Sequence, residues 1–431
     1  MGTLLQLANE LICQIMNNLV PDGIEALSQV SKPLYNLCEK HLQQHRNHKR
    51  RYTTITFSRN QRRGGLMDWH GHPLALLRAL LLTPTIALYP RKVVFGYWVP
   101  DTPEYAPDYP AESERRREYC AEVSKEVGRG ISTAVTRCHY IPRDKVEQWI
   151  KNIKSGDFHM TLFLLFTLLV NVEEIQGLHQ FFAMPVFRDM LDVVAKAVDE
   201  PLFDHPKDQA FGNLTKISLS EEWHMNDIEV DLLIQFSALP SVRTLEAYDV
   251  IQARAENPKA YPSHQSGVTA IKIMRSNISP ELFSSLLEHT PNLNGFTYQH
   301  HISTHIWKPI EINLALQKYT LDSLEHLDMT GWRENRLTEI SCPVGSLRRF
   351  PNLKWIRLEA GMLRYNNRSG EPQRLVDMLP ASTEHLVLVG NMEAERTVKA
   401  FDGLVEMKNE RLLGLDKIWT RRDLLALEEG I

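Results

Sequence analysis

What this chain of 431 residues lacks narrows its chemistry first. It has no basic excess: 49 Lys and Arg face 53 Asp and Glu, a formal net charge of −4, which argues against a chain-wide binder of nucleic acid or of anionic membrane. Cysteine is sparse. Cys13, Cys38, Cys120, Cys138 and Cys342 are odd in number, widely spread and without a C-x-x-C pair, so reduced thiols inside a cell are expected. Neither a disulfide framework nor a cysteine-based zinc site fits that pattern. Long apolar runs are also missing. The longest, Leu162 to Val170, is bounded by Asp157 and Glu173, and it falls well short of the roughly 20 residues that cross a bilayer. It reads as a buried helix.

The opening residues do not resemble a secretory leader, because Gln6, Asn9, Glu10 and Gln14 interrupt the apolar positions. Gln6 also stands where a myristoylation motif needs Ser or Thr. The chain is therefore expected in the cytosol, the nucleus or both. Catalytic signatures are equally scarce: there is no G-x-x-x-x-G-K-[ST] loop, no G-x-S-x-G elbow and no G-x-G-x-x-G turn. What is present is 43% hydrophobic and 24% charged residues, the balance of a folded protein.

The first 45 residues read as three short amphipathic helices. Leu7, Leu11, Ile15 and Leu19 recur at four-residue spacing, with Ile12 and Met16 widening the stripe. Asp22 followed by Glu25 has the spacing of a capping box, and Leu27 and Val30 supply the second apolar face. Ser31 suits an N-cap and Pro33 a first turn, with Leu34, Leu37, Cys38 and Leu42 forming the third stripe. A unit this small carries more apolar positions than it can hide, which means either the rest of the chain or another protein covers them.

Leu5-Gln6-Leu7-Ala8-Asn9-Glu10-Leu11, then Ile15, Leu19, Asp22 and Leu27, then Val30-Ser31-Lys32 and Leu34-Tyr35, together resemble the F-box motif. That motif begins Leu-Pro-x-Glu-Leu and ends Val-Ser-Lys-x-Leu/Trp-Tyr; Ala8 stands at the family's proline. The resemblance implies docking to the Skp-type adaptor of a Skp–cullin–F-box ubiquitin ligase. It assigns the contact to Leu5, Leu7, Ala8, Glu10, Leu11, Ile15, Leu19, Leu27, Val30, Ser31, Lys32, Leu34 and Tyr35.

The remainder repeats. An apolar-x-x-apolar-x-apolar unit occurs at Leu214-Ile217-Leu219, Val268-Ile271-Ile273, Leu293-Phe296-Tyr298, Leu324-Leu327-Met329 and Leu353-Ile356-Leu358. Weaker copies are Val242-Leu245-Ala247 and Thr383-Leu386-Leu388, and successive first positions lie 25 to 31 residues apart. Helical faces followed by proline separate several copies, as at Leu232, Leu233, Phe236 and Leu239 before Pro240. Degraded earlier copies are Tyr52-Ile55-Phe57, the helix Leu76 to Leu82 with the strand Val93 to Phe95, and Leu162 to Leu169 leading to Val172 and Ile175. A strand with a return helix cannot bury its apolar side alone, whereas stacked neighbours share one core. The pattern resembles irregular leucine-rich repeats. The asparagine expected three residues past each strand occurs only at Asn391, with Glu222, Ser276, Trp332 and Gly361 at the matching positions, so these turns must close differently. Residues 98–117, with Pro100, Pro103, Pro107 and Pro110, read as an exposed loop insertion.

Candidate chemistry is thin. His300, His301 and His305 raise a metal site without a completing ligand, His70 and His72 flank a glycine, and Cys138-His139 is a pair in sequence only. No cofactor or metal is expected. The basic stretch His45 to Arg63 reads mainly as a solvated face at a module junction.

These observations predict an α/β protein: an F-box-like three-helix module over residues 1–47, then an irregular leucine-rich-repeat-like solenoid over 48–425. The expected role is a non-catalytic substrate receptor that holds an unknown client protein near a cullin–RING complex, with no membrane or nucleic-acid partner. Residues alternating with the apolar strand positions are the expected client contacts: Glu246, Tyr248, Lys272, Met274, Gln299, His326, Asp328, Trp355, Arg357 and Glu359. Two alternatives share the sequence features: a non-degradative interaction scaffold, and an enzyme hidden in the irregular middle.

Overall fold

Parallel strands alternating with helices dominate the computed structural model of the protein, an α/β architecture. The residues described are 7–57, 72–96, 110–178, 185–196, 209–220, 230–250, 266–301, 307–331, 340, 342–363, 374–390, 399–404, 412, 414–415 and 417–420. The chain divides into two compact units, residues 1–181 with 200–214, and residues 182–199 with 215–431.

The first unit opens with α1 (Asn9–Asn18), α2 (Ile24–Gln29) and α3 (Lys32–Tyr52). Met16, Ile24, Cys38 and Leu42 close a small core among them, with Cys13, Val20, Leu27 and Leu37 packed around it. Ser31 caps α3 as expected, its Oγ accepting from the Leu34 N–H at 3.4 Å. The capping box at Asp22 and Glu25 does not form. Gly23 is the N-cap of α2, and no side chain satisfies that end. Both carboxylates are drawn away by cations, Asp22 to Arg91 and Glu25 to Lys49. Leu19 packs on Gly23, where a Cβ would come within 2.9 Å of its methyl, so a larger residue there would push the Leu19 side chain aside.

Helix α3 runs past residue 47 to Tyr52 and leads almost directly into β1 (Thr54–Phe57). Strand β1 pairs in parallel with β2 (Lys92–Phe95), and β2 with β3 (Glu174–Leu178). Between β1 and β2 lies α4 (Pro73–Leu82); between β2 and β3 lie α5 (Pro110–Arg137), α6 (Val146–Lys154) and α7 (Phe158–Leu168). The apolar run is α7, buried along Leu162 to Phe166, with Phe166 near Phe95 and Phe211 and with Phe163 near Trp149. Of the expected Pro-rich loop, residues 98–109 lie outside the described residues, but residues 110–117 are the first turns of α5. Pro110 takes the first helical position, where its missing N–H costs nothing, and the Ala-Glu-Ser-Glu-Arg run that follows favours helix over loop.

In the second unit, β4 (Lys216–Ser220), β5 (Thr244–Tyr248), β6 (Ala270–Ser276), β7 (Gly295–His300), β8 (His326–Gly331), β9 (Trp355–Glu359), β10 (His385–Val389) and β11 (Lys417–Thr420) pair in parallel in chain order. Helices α8 (Pro185–Lys196), α9 (Val230–Ser237), α10 (Pro280–Glu288), α11 (Pro309–Tyr319) and α12 (Leu375–Met378) belong to the same unit. Ile217, Leu245, Ile271, Phe296, Leu327, Ile356 and Leu386 stand in one register row and are all buried. The two-residue period of the strand puts each on the covered face.

The repeat spacing has a direct backbone consequence. The Thr215 carbonyl accepts from the N–H groups of both Arg243 and Thr244, and the same forked contact recurs at the carbonyls of Arg243, Thr269, Asn294, Glu325 and Lys354. Each acceptor lies one residue past the leading apolar position of its repeat. In the first unit the carbonyls of Thr53 and Arg91 do the same.

A side-chain ladder runs along the same turns. Ser323 donates to the carbonyls of Pro291 and Leu293 at 3.0 and 2.8 Å, Asn352 to Asp322 at 2.7 Å, and Ser382 to Leu353 at 2.9 Å. Asn171 and Asn213 bind Leu88 and Val170 in the first unit. These polar residues precede the strands, at the end opposite to the expected asparagine. At the last residue of β6, Ser276 accepts from the Val250 N–H just beyond β5 at 2.9 Å. Asn391 lies outside the described residues.

Candidate docking surfaces

The helical trio keeps its core small and its apolar surface open. Leu7 is 40% exposed, Leu11 47%, Val30 71% and Tyr35 42%, and among the described residues only Leu82, Val193 and Leu314 are further large apolar side chains left so open. Ile12 and Met16 are buried, Met16 within the small core, while Leu7 and Leu11 are left exposed. Val30, expected on the apolar face of α2 and as an adaptor contact, points to solvent: α2 ends one residue before it and buries Ile24 and Ser28. Of the other expected adaptor contacts, Ala8, Glu10 and Lys32 are exposed, and Ile15, Leu19, Leu27 and Ser31 are half-buried. Leu34 is 1% exposed, so it has no surface to offer a partner. Leu5 lies outside the described residues.

The trio is fastened to the first strands by a polar cluster that the sequence did not advertise. Buried His45 sits 3.1 Å from the Tyr89 hydroxyl and 3.3 Å from a Glu25 oxygen. Lys49 pairs with Glu25 at 3.0 Å, and its ammonium, with His45 beside it, holds the Glu25 carboxyl below its ordinary value. Arg91 bridges Asp22 and Glu173 at 2.8 and 3.2 Å. Lys49 thus spends its charge on an internal carboxylate, which removes it from the basic stretch as a free surface cation, and Arg91, outside that stretch, is likewise paired. Arg59, Arg62 and Arg63 lie outside the described residues.

On the sheet of the second unit, Ser218, Glu246, Lys272, Thr297, Asp328 and Arg357 form a register row. Lys216 pairs with Glu246 at 3.1 Å, and Arg357 approaches Asp328 at 3.6 Å. Of the ten expected client contacts, His326 alone is exposed and the other nine are half-buried. Side chains on strands about 4.8 Å apart shield one another, so pointing away from the helices is not the same as full exposure. Trp355 stands beside His326 with ring centroids 6.4 Å apart. Tyr248 and Met274 are register partners; Gln299 pairs in register with Thr330, and Glu359 accepts weakly from the Gly331 N–H at 3.4 Å.

Asp328 is the anomaly of this face. Burial pushes its carboxyl up to about 6 against the pull of Arg357 and Lys272, and its second oxygen is buried without a hydrogen-bond partner. The Arg357 Nε is likewise buried and unpartnered. Asp249 and Arg275, which sequence reading passed over, form an ion pair beyond β5 and within β6, with the guanidinium over the Tyr248 ring. Both adopt left-handed backbone, φ 58° and 50°. An Asp directly after a strand hints at that conformation, whereas nothing local signals it for Arg275.

The suspected chemistry does not assemble. Among the described residues no group of three or more His, Cys, Asp or Glu side chains could hold a metal ion. His300 stacks on Trp307 with centroids 4.9 Å apart and meets the Tyr298 hydroxyl at 2.9 Å, the role of a core histidine. His301 is half-buried; His305 and His70 lie outside the described residues. His72 caps α4, its Nδ1 accepting from the Leu74 N–H at 3.1 Å. Burial raises the Cys138 thiol above its ordinary value, the opposite of what a nucleophile needs, and His139 is exposed. No helix among the described residues is long and apolar enough to cross a membrane. Compared with protein-family models and with curated proteins, the sequence matches none.

Proposed function

We propose that this protein is the substrate-recognition subunit of a Skp–cullin–F-box ubiquitin ligase. The helical trio is its F-box, and the repeated strand–helix units form a leucine-rich-repeat-like solenoid that holds a client protein. The observation that carries this reading is the uncovered Leu7, Leu11, Val30 and Tyr35 on a module whose own core is already complete. Apolar surface that the chain leaves in water is stabilised when a second subunit covers it. All four are among the residues that the F-box resemblance assigns to the adaptor; of the others, Leu34 is buried and Ile15, Leu19, Leu27 and Ser31 are half-buried.

The protein forms and breaks no bond in this role. It raises the effective concentration of a client lysine near a ubiquitin-loaded enzyme. Fastening of the trio to β1 and β2 through Glu25, His45, Tyr89 and Arg91 supports it, because a slack joint would dilute that proximity. The test is to isolate the full chain from cells and ask whether adaptor and cullin accompany it. Both should be present in wild type and absent when Leu7 and Leu11 become Asp. Adaptor without cullin would instead mean a scaffold that does not deliver clients, and neither partner would overturn the proposal.

A further inference from the structure

A groove of 880 Å³ lies over the C-terminal half of α11 and the turns leading into β7, β8 and β9. Its apolar feature is Leu314, 57% exposed on a helix whose neighbouring Ile312, Ala315 and Leu316 are buried. Two cations line it, Lys318 and Arg349, and each is pinned by a neutral partner. Lys318 donates to the Tyr319 hydroxyl at 2.7 Å and sits 4.5 Å from the centroid of its ring. Arg349 reaches Gln317 at 3.5 Å, and Gln317 is itself held by Asn313 and the Ser346 carbonyl. Asp322 is the one carboxylate of the lining, and among the described residues it pairs with neither cation.

Cations with carboxylate partners elsewhere in this protein are compensated, as Lys354 is by Glu325. Neither Lys318 nor Arg349 makes an ion pair among the described residues, although the Glu288 carboxylate acts on Lys318 from outside the lining, so an anion in the groove meets two cations already held in place. We propose that this groove docks an acidic segment of a partner protein, its carboxylates on Lys318 and Arg349 and one apolar side chain against Leu314. A nucleic acid fits less well, since the most exposed apolar side chain of the lining is the aliphatic Leu314. Its lining shares no residue with the sheet face or with the helical trio, and it does not depend on the ubiquitin-ligase reading.

The test uses the full chain and a fluorescein-labelled acidic peptide with a single central leucine, against the same peptide with Lys at every acidic position. Fluorescence anisotropy should report binding of the acidic peptide alone, weakening with added salt. Lys318→Glu with Arg349→Glu should reduce its affinity by about tenfold or more, since two charge-assisted contacts are lost. Leu314→Asp should also weaken it. All three side chains are exposed, so circular dichroism should be unchanged. The Leu7→Asp, Leu11→Asp variant should bind the peptide like wild type, which separates this site from the adaptor surface. Equal binding of both peptides, no binding of either, or an affinity that survives the charge reversal would overturn the proposal.

Discussion

Asp328→Asn should make the protein more stable at neutral pH. The unfolded carboxyl has its ordinary value of 3.8, and burial between β7 and β9 lifts the folded one to about 6. The folded state therefore holds its proton more tightly than the unfolded state. Stability is full below the unfolded value and falls as pH rises from about 4 to 6, because the unfolded chain sheds the proton first. At 1.36 kcal/mol per unit, the ionised form costs about 3 kcal/mol at pH 7.5, and about half of that at pH 5. The side chain is 14% exposed, so solvent screening reduces this only modestly. Asparagine keeps the shape and removes the charge. Denaturant titrations of wild type and variant, followed through circular dichroism at both pH values, should show a higher midpoint for Asp328→Asn, with the gap narrowing by about half at pH 5. A variant less stable than wild type at pH 7.5, or a gap independent of pH, would refute the reasoning. A carboxylate kept at such a cost on the proposed client face is one that stability alone does not explain.

Leu7→Asp with Leu11→Asp should weaken adaptor binding by at least about thirtyfold, since each half-exposed leucine still has roughly 1 kcal/mol of burial to gain and the new carboxylates must be desolvated. Circular dichroism should not change, whereas Met16→Asp should unfold the trio because that side chain is fully buried. Asn313→Ala removes hydrogen bonds to the Val344 and Ser346 carbonyls at a site 1% exposed, and should cost about 2 to 4 kcal/mol by denaturant titration. At pH 8, Cys138 should alkylate with iodoacetamide more slowly than a free cysteine, read by peptide mass spectrometry, because burial keeps its thiol protonated.

The repeats were legible because their cause is one-dimensional. An apolar residue leading each strand, followed by alternation, gave Leu214, Val242, Val268, Leu293, Leu324 and Leu353, and the forked carbonyls one residue later keep the same spacing. The stitching was less legible: Ser323, Asn352 and Ser382 are ordinary polar residues until a neighbouring turn brings a carbonyl to them. Asp22 and Glu25 misled because spacing alone cannot reveal that Arg91 and Lys49 compete for them. Pro110 misled because a proline reads as a breaker until the helix is seen to begin there. On the sheet face, alternation identified the side of each residue but not its depth, which neighbouring strands decide.

The most direct test is a titration of the purified full chain with a purified Skp-type adaptor, followed by isothermal calorimetry. A saturable one-to-one complex is expected, with a negative heat-capacity change from burial of apolar surface, abolished by Leu7→Asp with Leu11→Asp. No complex with the folded wild-type protein, or one indifferent to those two substitutions, would contradict the account.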